Sequence, residues 1–356
     1  MKIRRLRGRW REELPATAWR WLLLPAWLVF RPLVVIRNLL FDLGWRKAQR
    51  LPVPVWSVGN LTAGGTGKTP LTRHLARWAI AHGLRPAIIS RGYRAAPNGI
   101  NDEARTVSEC PVICNIDRVA GGRRAIAEGA TCLILDDGFQ HRRLHRDLDL
   151  VLIDATRPWG TEDPEDGATL PLGYLREGRR ALRRADLLVV TRTELVSSEW
   201  LDLLQTRLVT LHGQNQSTPL IRVADFLPRL RHHGSDGTAE VKSLAGQAVI
   251  LVSGLGNPLG FERAANKHGW LVHESLRFPD HHHYDHADVA LIRAAAAHHA
   301  AVVVTTGKDA VKLIPLLAGQ PALELQVLEV DSTIHPDDRQ ALDRRLLATL
   351  PGAPTP

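Results

Sequence analysis

Cysteine is scarce in this chain: three residues in 356, Cys110, Cys114 and Cys132. Three thiols at that spacing build neither a disulfide framework nor a zinc site, and they suit a reducing compartment, where ATP is also found. Net positive charge is missing from most of the sequence. The net charge is +9, but residues 1–50 alone hold twelve Lys/Arg against three Asp/Glu, so the remaining 306 residues are neutral in sum. This argues against a general nucleic-acid surface. There is no internal repeat. Within residues 1–50 the longest uncharged run, Trp21–Phe30, has ten residues, short of the ~20 that a bilayer crossing needs.

What residues 1–50 do contain is a basic patch (Lys2, Arg4, Arg5, Arg7, Arg9, Arg11), five of the ten tryptophans and apolar runs interrupted by Arg31 and Arg37. No small-residue cleavage site follows, which argues against a secretory signal. Trp belongs at headgroup level and each Arg near an anionic surface contributes ~1 kcal/mol. The segment is therefore expected to be a membrane-associated helix pair, broken near Pro25 or Pro32. A buried Trp-rich helix is the bland alternative.

Residues 59–70, GNLTAGGTGKTP, carry the strongest signal. An apolar run, Pro54–Val58, precedes them, and a helical pattern (Leu71, Leu75, Trp78, Ala79) follows. Strand, glycine loop and helix form the setting of a phosphate-binding loop, in which backbone N–H groups and a helix N-terminus face phosphate oxygens. Thr62, Ala63, Gly64, Gly65, Thr66, Gly67, Lys68 and Thr69 are the expected ATP-binding residues. Thr62 stands where that motif has its first glycine. Lys68 reaches the β/γ-phosphates and the Thr69 hydroxyl ligates Mg²⁺.

Further on, Thr131–Leu135 reads as a buried strand running into Asp136-Asp137-Gly138-Phe139-Gln140-His141-Arg142-Arg143. An aspartate at such a strand end is the usual carboxylate partner of a phosphate loop, so Asp136 and Asp137 join Thr69 as metal-side residues. Pro86–Ser90 reads as another strand, ending at Arg91 and Tyr93, where ligands sit in open α/β sheets. Arg91, Tyr93, Gln140, His141, Arg142 and Arg143 are expected to contact substrate, with Arg142 or Arg143 also near the γ-phosphate. Leu150–Asp154 and Leu187–Thr191 add strands; 156–180 is an irregular functional loop and 211–242 a loop or linker. A second α/β unit begins at Ala248–Ser253. Residues 280–286 hold four His and two Asp, either a metal cluster or a polar loop that lends a histidine to an active site.

Together these stretches resemble the tetraacyldisaccharide 4′-kinase family of lipid A biosynthesis. The resemblance rests on GNLTAGGTGKTP (59–70), ISRGY (89–93), DDGFQHRRL (136–144), LVLIDA (150–155), SGLGNP (253–258), FPDHHHY (278–284) and TTGKDAVKL (305–313). It implies transfer of the ATP γ-phosphate to the 4′-hydroxyl of a disaccharide 1-phosphate, with Mg²⁺, at the cytoplasmic face of the inner membrane. It implies a glycolipid substrate and an anionic membrane surface as partners, and neither nucleic acid nor an obligate protein partner. The implied fold is α/β: a P-loop NTPase-like, mostly parallel sheet flanked by helices, with an N-terminal membrane-associated helix and a smaller α/β domain. The corresponding boundaries are 1–50 for the anchor, 51–230 for the kinase domain, 243–335 for the smaller domain and 336–356 for a C-terminal helix and tail. By the same resemblance Asp102 is the catalytic base and His281 or His282 its helper, beside Lys68. Asn101 and Gly307 depart from the family pattern. The alternative from another class is a membrane-associated P-loop ATPase switch that positions protein partners, but Ala63 occupies that class's signature lysine position.

Overall fold

The computed structural model describes residues 2–5, 22–63, 65–91, 110–161, 167–213, 220–232, 238–255, 258–279, 282–318 and 323–352. Two units divide the chain: a larger one of residues 14–225 and 332–356, and a smaller one of 1–13 and 226–331. The chain starts in the smaller unit with strand β1 (Lys2–Arg5), enters the larger, returns, and ends in the larger.

The larger unit opens with helix α1 (Leu24–Asp42). Its 19 residues run unbroken through Pro32, one of the two expected break points. Pro25 lies in the first turn, where its missing N–H costs nothing, and Pro32 is carried inside the helix. By length and composition α1 can cross a membrane. Next come β2 (Val55–Asn60), α2 (Lys68–Ala81), β3 (Pro86–Ser90), β4 (Val112–Cys114), α3 (Arg118–Ala127), β5 (Cys132–Asp136), β6 (Leu148–Asp154), β7 (Leu187–Thr191) and α4 (Ser198–His212). Strand β8 (Leu220–His232) leads across to the smaller unit. It replaces part of the linker expected at 211–242: the backbone of residues 220–223 pairs with Leu188–Thr191 of β7. The strand order β8-β7-β6-β2-β5-β3-β4 is parallel throughout. Strands β2, β3, β5, β6 and β7 are buried at every residue, as a parallel sheet covered on both faces requires.

In the smaller unit follow β9 (Thr238–Glu240), β10 (Ala248–Ser253), α5 (Pro258–Lys267), β11 (Leu271–Arg277), α6 (His286–His299), β12 (Val302–Thr306), α7 (Gly307–Leu317) and most of β13 (Leu325–Ile334), whose last three residues belong to the larger unit. Its parallel order is β1-β11-β10-β12-β13. Lys2–Arg5, read from sequence as part of a basic membrane patch, form backbone pairs with Glu274–Arg277. The chain closes with α8 (Pro336–Leu347). Its Leu342 and Leu346 join the larger unit's core with Trp56 and Trp78, and Asp343 accepts from the Trp78 indole at 2.8 Å.

Because the larger sheet is parallel, Ser90, Asn60, Asp136, Asp154 and Thr191 all end strands at one edge. That edge is where open α/β sheets bind ligands.

Candidate active site

The 61–67 loop joins β2 to α2, with Gly67 at φ 84° as the residue before Lys68. Glycine takes this left-handed conformation at little cost, and the next residue starts the helix. Lys68 therefore projects from the first position of α2. Its Nζ donates to Asn60 Oδ1 at 3.2 Å and lies 3.6 Å from Asp137 Oδ1.

Asp136 ends β5 and Asp137 follows it; β5 pairs directly with β2 (Val58 opposite Asp136). The 136–140 turn packs so close to β2 that a Cβ on Gly59 would sit 2.5 Å from Phe139 Cβ. Asp136 is buried, and its carbonyl accepts from Arg118 Nη1 at 2.9 Å. Asp137 has φ 55°, a left-handed conformation that costs a non-glycine residue roughly 1 kcal/mol. Arg176 Nη1 donates to Asp137 Oδ2 at 2.6 Å. Burial pushes the Asp137 carboxyl up, but the Lys68 and Arg176 cations outweigh it and hold the group well below the usual carboxylate range. Its Oδ1 is buried without a hydrogen-bond partner.

The segment 168–177 straps the loop. Ala63 N donates to Tyr174 O at 2.8 Å and Arg176 N to Leu61 O at 2.7 Å. Thr62 is buried, bridges to Leu175 and accepts from Asn60 Nδ2 at 3.1 Å. A hydroxyl thus fills the place of the motif's glycine and knits the loop to β2. Gln140 joins the same cluster, donating to Asn60 O at 2.8 Å.

Other expected contacts face elsewhere. Arg142 reaches α1, donating to Asn38 O at 3.0 Å and Asp42 Oδ1 at 2.7 Å. Arg143 lies 3.9 Å from Asp117. Neither is directed to the phosphate loop. His141 is kept neutral: burial, then Arg118, Arg146 and Arg143, lower its pKa to about 4. Arg91 is exposed at the end of β3. Gly64, Tyr93, Asp102 and His281 lie outside the described residues.

In the smaller unit His282 belongs to a ring cluster. Its imidazole stacks on Phe278 (4.8 Å) and meets the edge of Tyr284 (5.0 Å). His282 Nε2 shares a 2.8 Å hydrogen bond with Asp288 Oδ2. Lys312 Nζ donates to the His282 carbonyl at 3.2 Å. Among the described residues no group of three or more His, Cys, Asp or Glu is placed to hold a metal.

Sequence reasoning missed Arg176 and Glu177 and gave Arg192 no role in the site. The first two sit in a Pro/Gly-rich stretch with no periodicity.

A family model described as tetraacyldisaccharide-1-P 4′-kinase matches residues 19–351. A tetraacyldisaccharide 4′-kinase of Syntrophus aciditrophicus is 38% identical over 339 residues, covering 87% of this chain and 88% of that protein. The protein of the same name from Anaeromyxobacter sp. strain K is 38% identical over 378 residues, covering 98% and 96%. Among solved structures, LpxK from Aquifex aeolicus in complex with ATP aligns with a TM-score of 0.67 at 27% identity, covering 94% of this chain and all of that one.

Proposed function

The chain belongs to the tetraacyldisaccharide 4′-kinase family, and from that premise we propose how its residues divide the work of phosphoryl transfer. The enzyme moves the γ-phosphate of ATP to the 4′-hydroxyl of tetraacyldisaccharide 1-phosphate in lipid A biosynthesis. Such transfer needs positioning and charge neutralisation more than covalent help.

One observation carries the assignment. Lys68 Nζ stands at the head of α2 between Asn60 Oδ1 and Asp137 Oδ1, beneath a glycine loop. There the ammonium meets the β/γ-phosphates while the loop amides face the phosphate oxygens. The residues also fit Mg²⁺, a hard cation that takes one or two carboxylates beside substrate phosphates. Asp137 Oδ1 is a buried oxygen with no hydrogen-bond partner, and Asp136 and Thr69 supply further oxygen donors. When bound, Mg²⁺ neutralises charge that develops on the β- and γ-phosphate oxygens. Arg176 holds Asp137 ionised and aimed.

Asp102 accepts the proton of the sugar hydroxyl, a contribution of roughly 10²–10⁴-fold. A histidine of the 281–282 pair orients or relays it. His282 Nε2 pairs with Asp288 Oδ2, a carboxylate contact that orients its ring. The glycolipid acceptor keeps its acyl chains in the membrane, so α1 seats the enzyme at an anionic surface, the cytoplasmic face of the inner membrane.

The test is incubation with γ-labelled ATP, Mg²⁺ and detergent-dispersed tetraacyldisaccharide 1-phosphate. Label enters the lipid with the parent enzyme and not with Lys68→Ala. Asp102→Ala loses turnover but keeps ATP affinity. Parent-like turnover in either variant would remove that residue from the mechanism.

A further inference from the structure

Two carbonyl groups of the phosphate loop are captured from the ends of neighbouring strands. Arg192 Nη2 donates to Gly65 O at 3.1 Å, and Thr191 Oγ1 donates to Thr66 O at 3.0 Å. Thr191 is the last residue of β7 and is buried. Arg192 follows it at φ 58°, a backbone conformation that a non-glycine residue holds only where its surroundings fix it. Asp154, the buried last residue of β6, supplies that anchor. Its Oδ2 pairs with Arg192 Nη1. Its Oδ1 accepts from Thr156 N at 2.9 Å and Thr156 Oγ1 at 2.6 Å.

A trans peptide is planar, so its C=O and N–H point in opposite directions. The two captured carbonyls belong to the peptides whose N–H groups are those of Thr66 and Gly67. Drawing both oxygens toward the ends of β6 and β7 turns both N–H groups the other way. In a glycine-rich loop each peptide can otherwise flip, because glycine populates both signs of φ. A flip would remove a donor from a phosphate cradle and offer the anion a carbonyl oxygen in its place.

We propose that Thr191 and Arg192, anchored by Asp154, are positioning residues that orient the Thr66 and Gly67 amides toward the phosphates of ATP. None of the three touches the reacting atoms; they act through the loop. The proposal rests on the reading of 59–70 as the ATP phosphate loop and extends it to the residues that set its amides.

The experiment measures affinity of the full chain for a fluorescent ATP analogue with Mg²⁺, together with KM for ATP and for the glycolipid. Thr191→Val keeps the side-chain volume and removes the hydroxyl, so its fold is spared. Its dissociation constant for the analogue rises about five-fold, and Thr191→Ser restores it. Arg192→Ala weakens binding roughly ten-fold, and added guanidinium ion at non-denaturing concentration recovers affinity. In both variants KM for ATP rises and KM for the glycolipid stays, whereas general damage to the fold would move both. Lys68→Ala is the control for the loop itself. Weakened binding in Lys68→Ala with parent affinity in Thr191→Val and Arg192→Ala overturns this proposal alone. Undiminished binding in Lys68→Ala overturns the phosphate-loop reading and the proposal with it.

Discussion

Asp137 and His141 sit four residues apart on one turn, and their surroundings drive them to opposite charge states. Asp137 faces Lys68 and Arg176 and stays ionised despite burial. His141 is half-buried near Arg118, Arg146 and Arg143, which make a further positive charge unwelcome. The histidine's consequence for stability has a definite sign. Its pKa falls from the usual 6.5 to about 4 on folding. Below pH 6.5 the unfolded chain takes up a proton that the folded chain refuses, so stability drops as pH falls toward 4 and the loss then levels off. Replacing His141 with Gln removes this contribution. Thermal unfolding followed from pH 7 to 4 should show the parent losing more stability than His141→Gln across that window. Parallel curves for the two proteins would mean that His141 titrates normally.

Helix α1 inverts the pattern of an ordinary surface helix. None of its residues is buried, and Leu28, Val29, Leu33, Val35, Ile36 and Leu39 are at least half exposed. Its polar and aromatic side chains make the attachments instead. Trp27 Nε1 donates to Thr169 Oγ1 at 2.8 Å. Arg37 and Asn38 donate to the buried carboxylate of Glu177 at 2.7 and 3.0 Å, which Arg184 also holds at 2.7 Å. An apolar face of this size on an attached helix fits a lipid surface. The triple variant Leu33→Ser, Ile36→Ser, Leu39→Ser removes on the order of 1–2 kcal/mol of transfer free energy per site. Binding to anionic vesicles should fall by roughly a hundredfold or more, with the unfolding temperature unchanged because nothing buried is lost. Unaltered co-sedimentation with vesicles would sink the lipid-facing role of α1. The sequence made the apolar content of this segment legible but not its continuity through Pro32, which read as a possible break. Likewise the strand–loop–helix at 55–81 and the Asp136-Asp137 strand end were legible, because local periodicity and turn chemistry specify them. Arg176, Glu177, Thr191 and Arg192 were not. Their roles arise from contacts across 39 to 140 positions of sequence, which no local pattern encodes.

At the scale of the whole molecule the chain order departs from the order of units, and strand β1 is where this matters. Residues 1–13 belong to the smaller unit, yet α1 just downstream belongs to the larger. β1 runs parallel to β11 with Lys2 opposite Glu274 and Arg5 opposite Arg277. It covers one side of β11, whose other side pairs with β10. Without β1, β11 would be an edge strand with a row of unpaired backbone groups. β11 would nevertheless stay in place. Arg277 makes paired hydrogen bonds of 2.8 and 2.7 Å to Glu262 on α5, both side chains buried, and the β10 pairing remains. Truncation of residues 1–13 should therefore leave the smaller unit folded but speed amide hydrogen exchange along Leu271–Arg277, while exchange in Ala248–Ser253 changes little. ATP affinity should also hold, because the loop at 61–67, Lys68 and Asp137 all lie in the larger unit. Exchange along 271–277 that is the same with and without residues 1–13 would show that β1 does not protect this edge in solution. The N-terminal arginines would then be free to serve the membrane surface that their charge suggested.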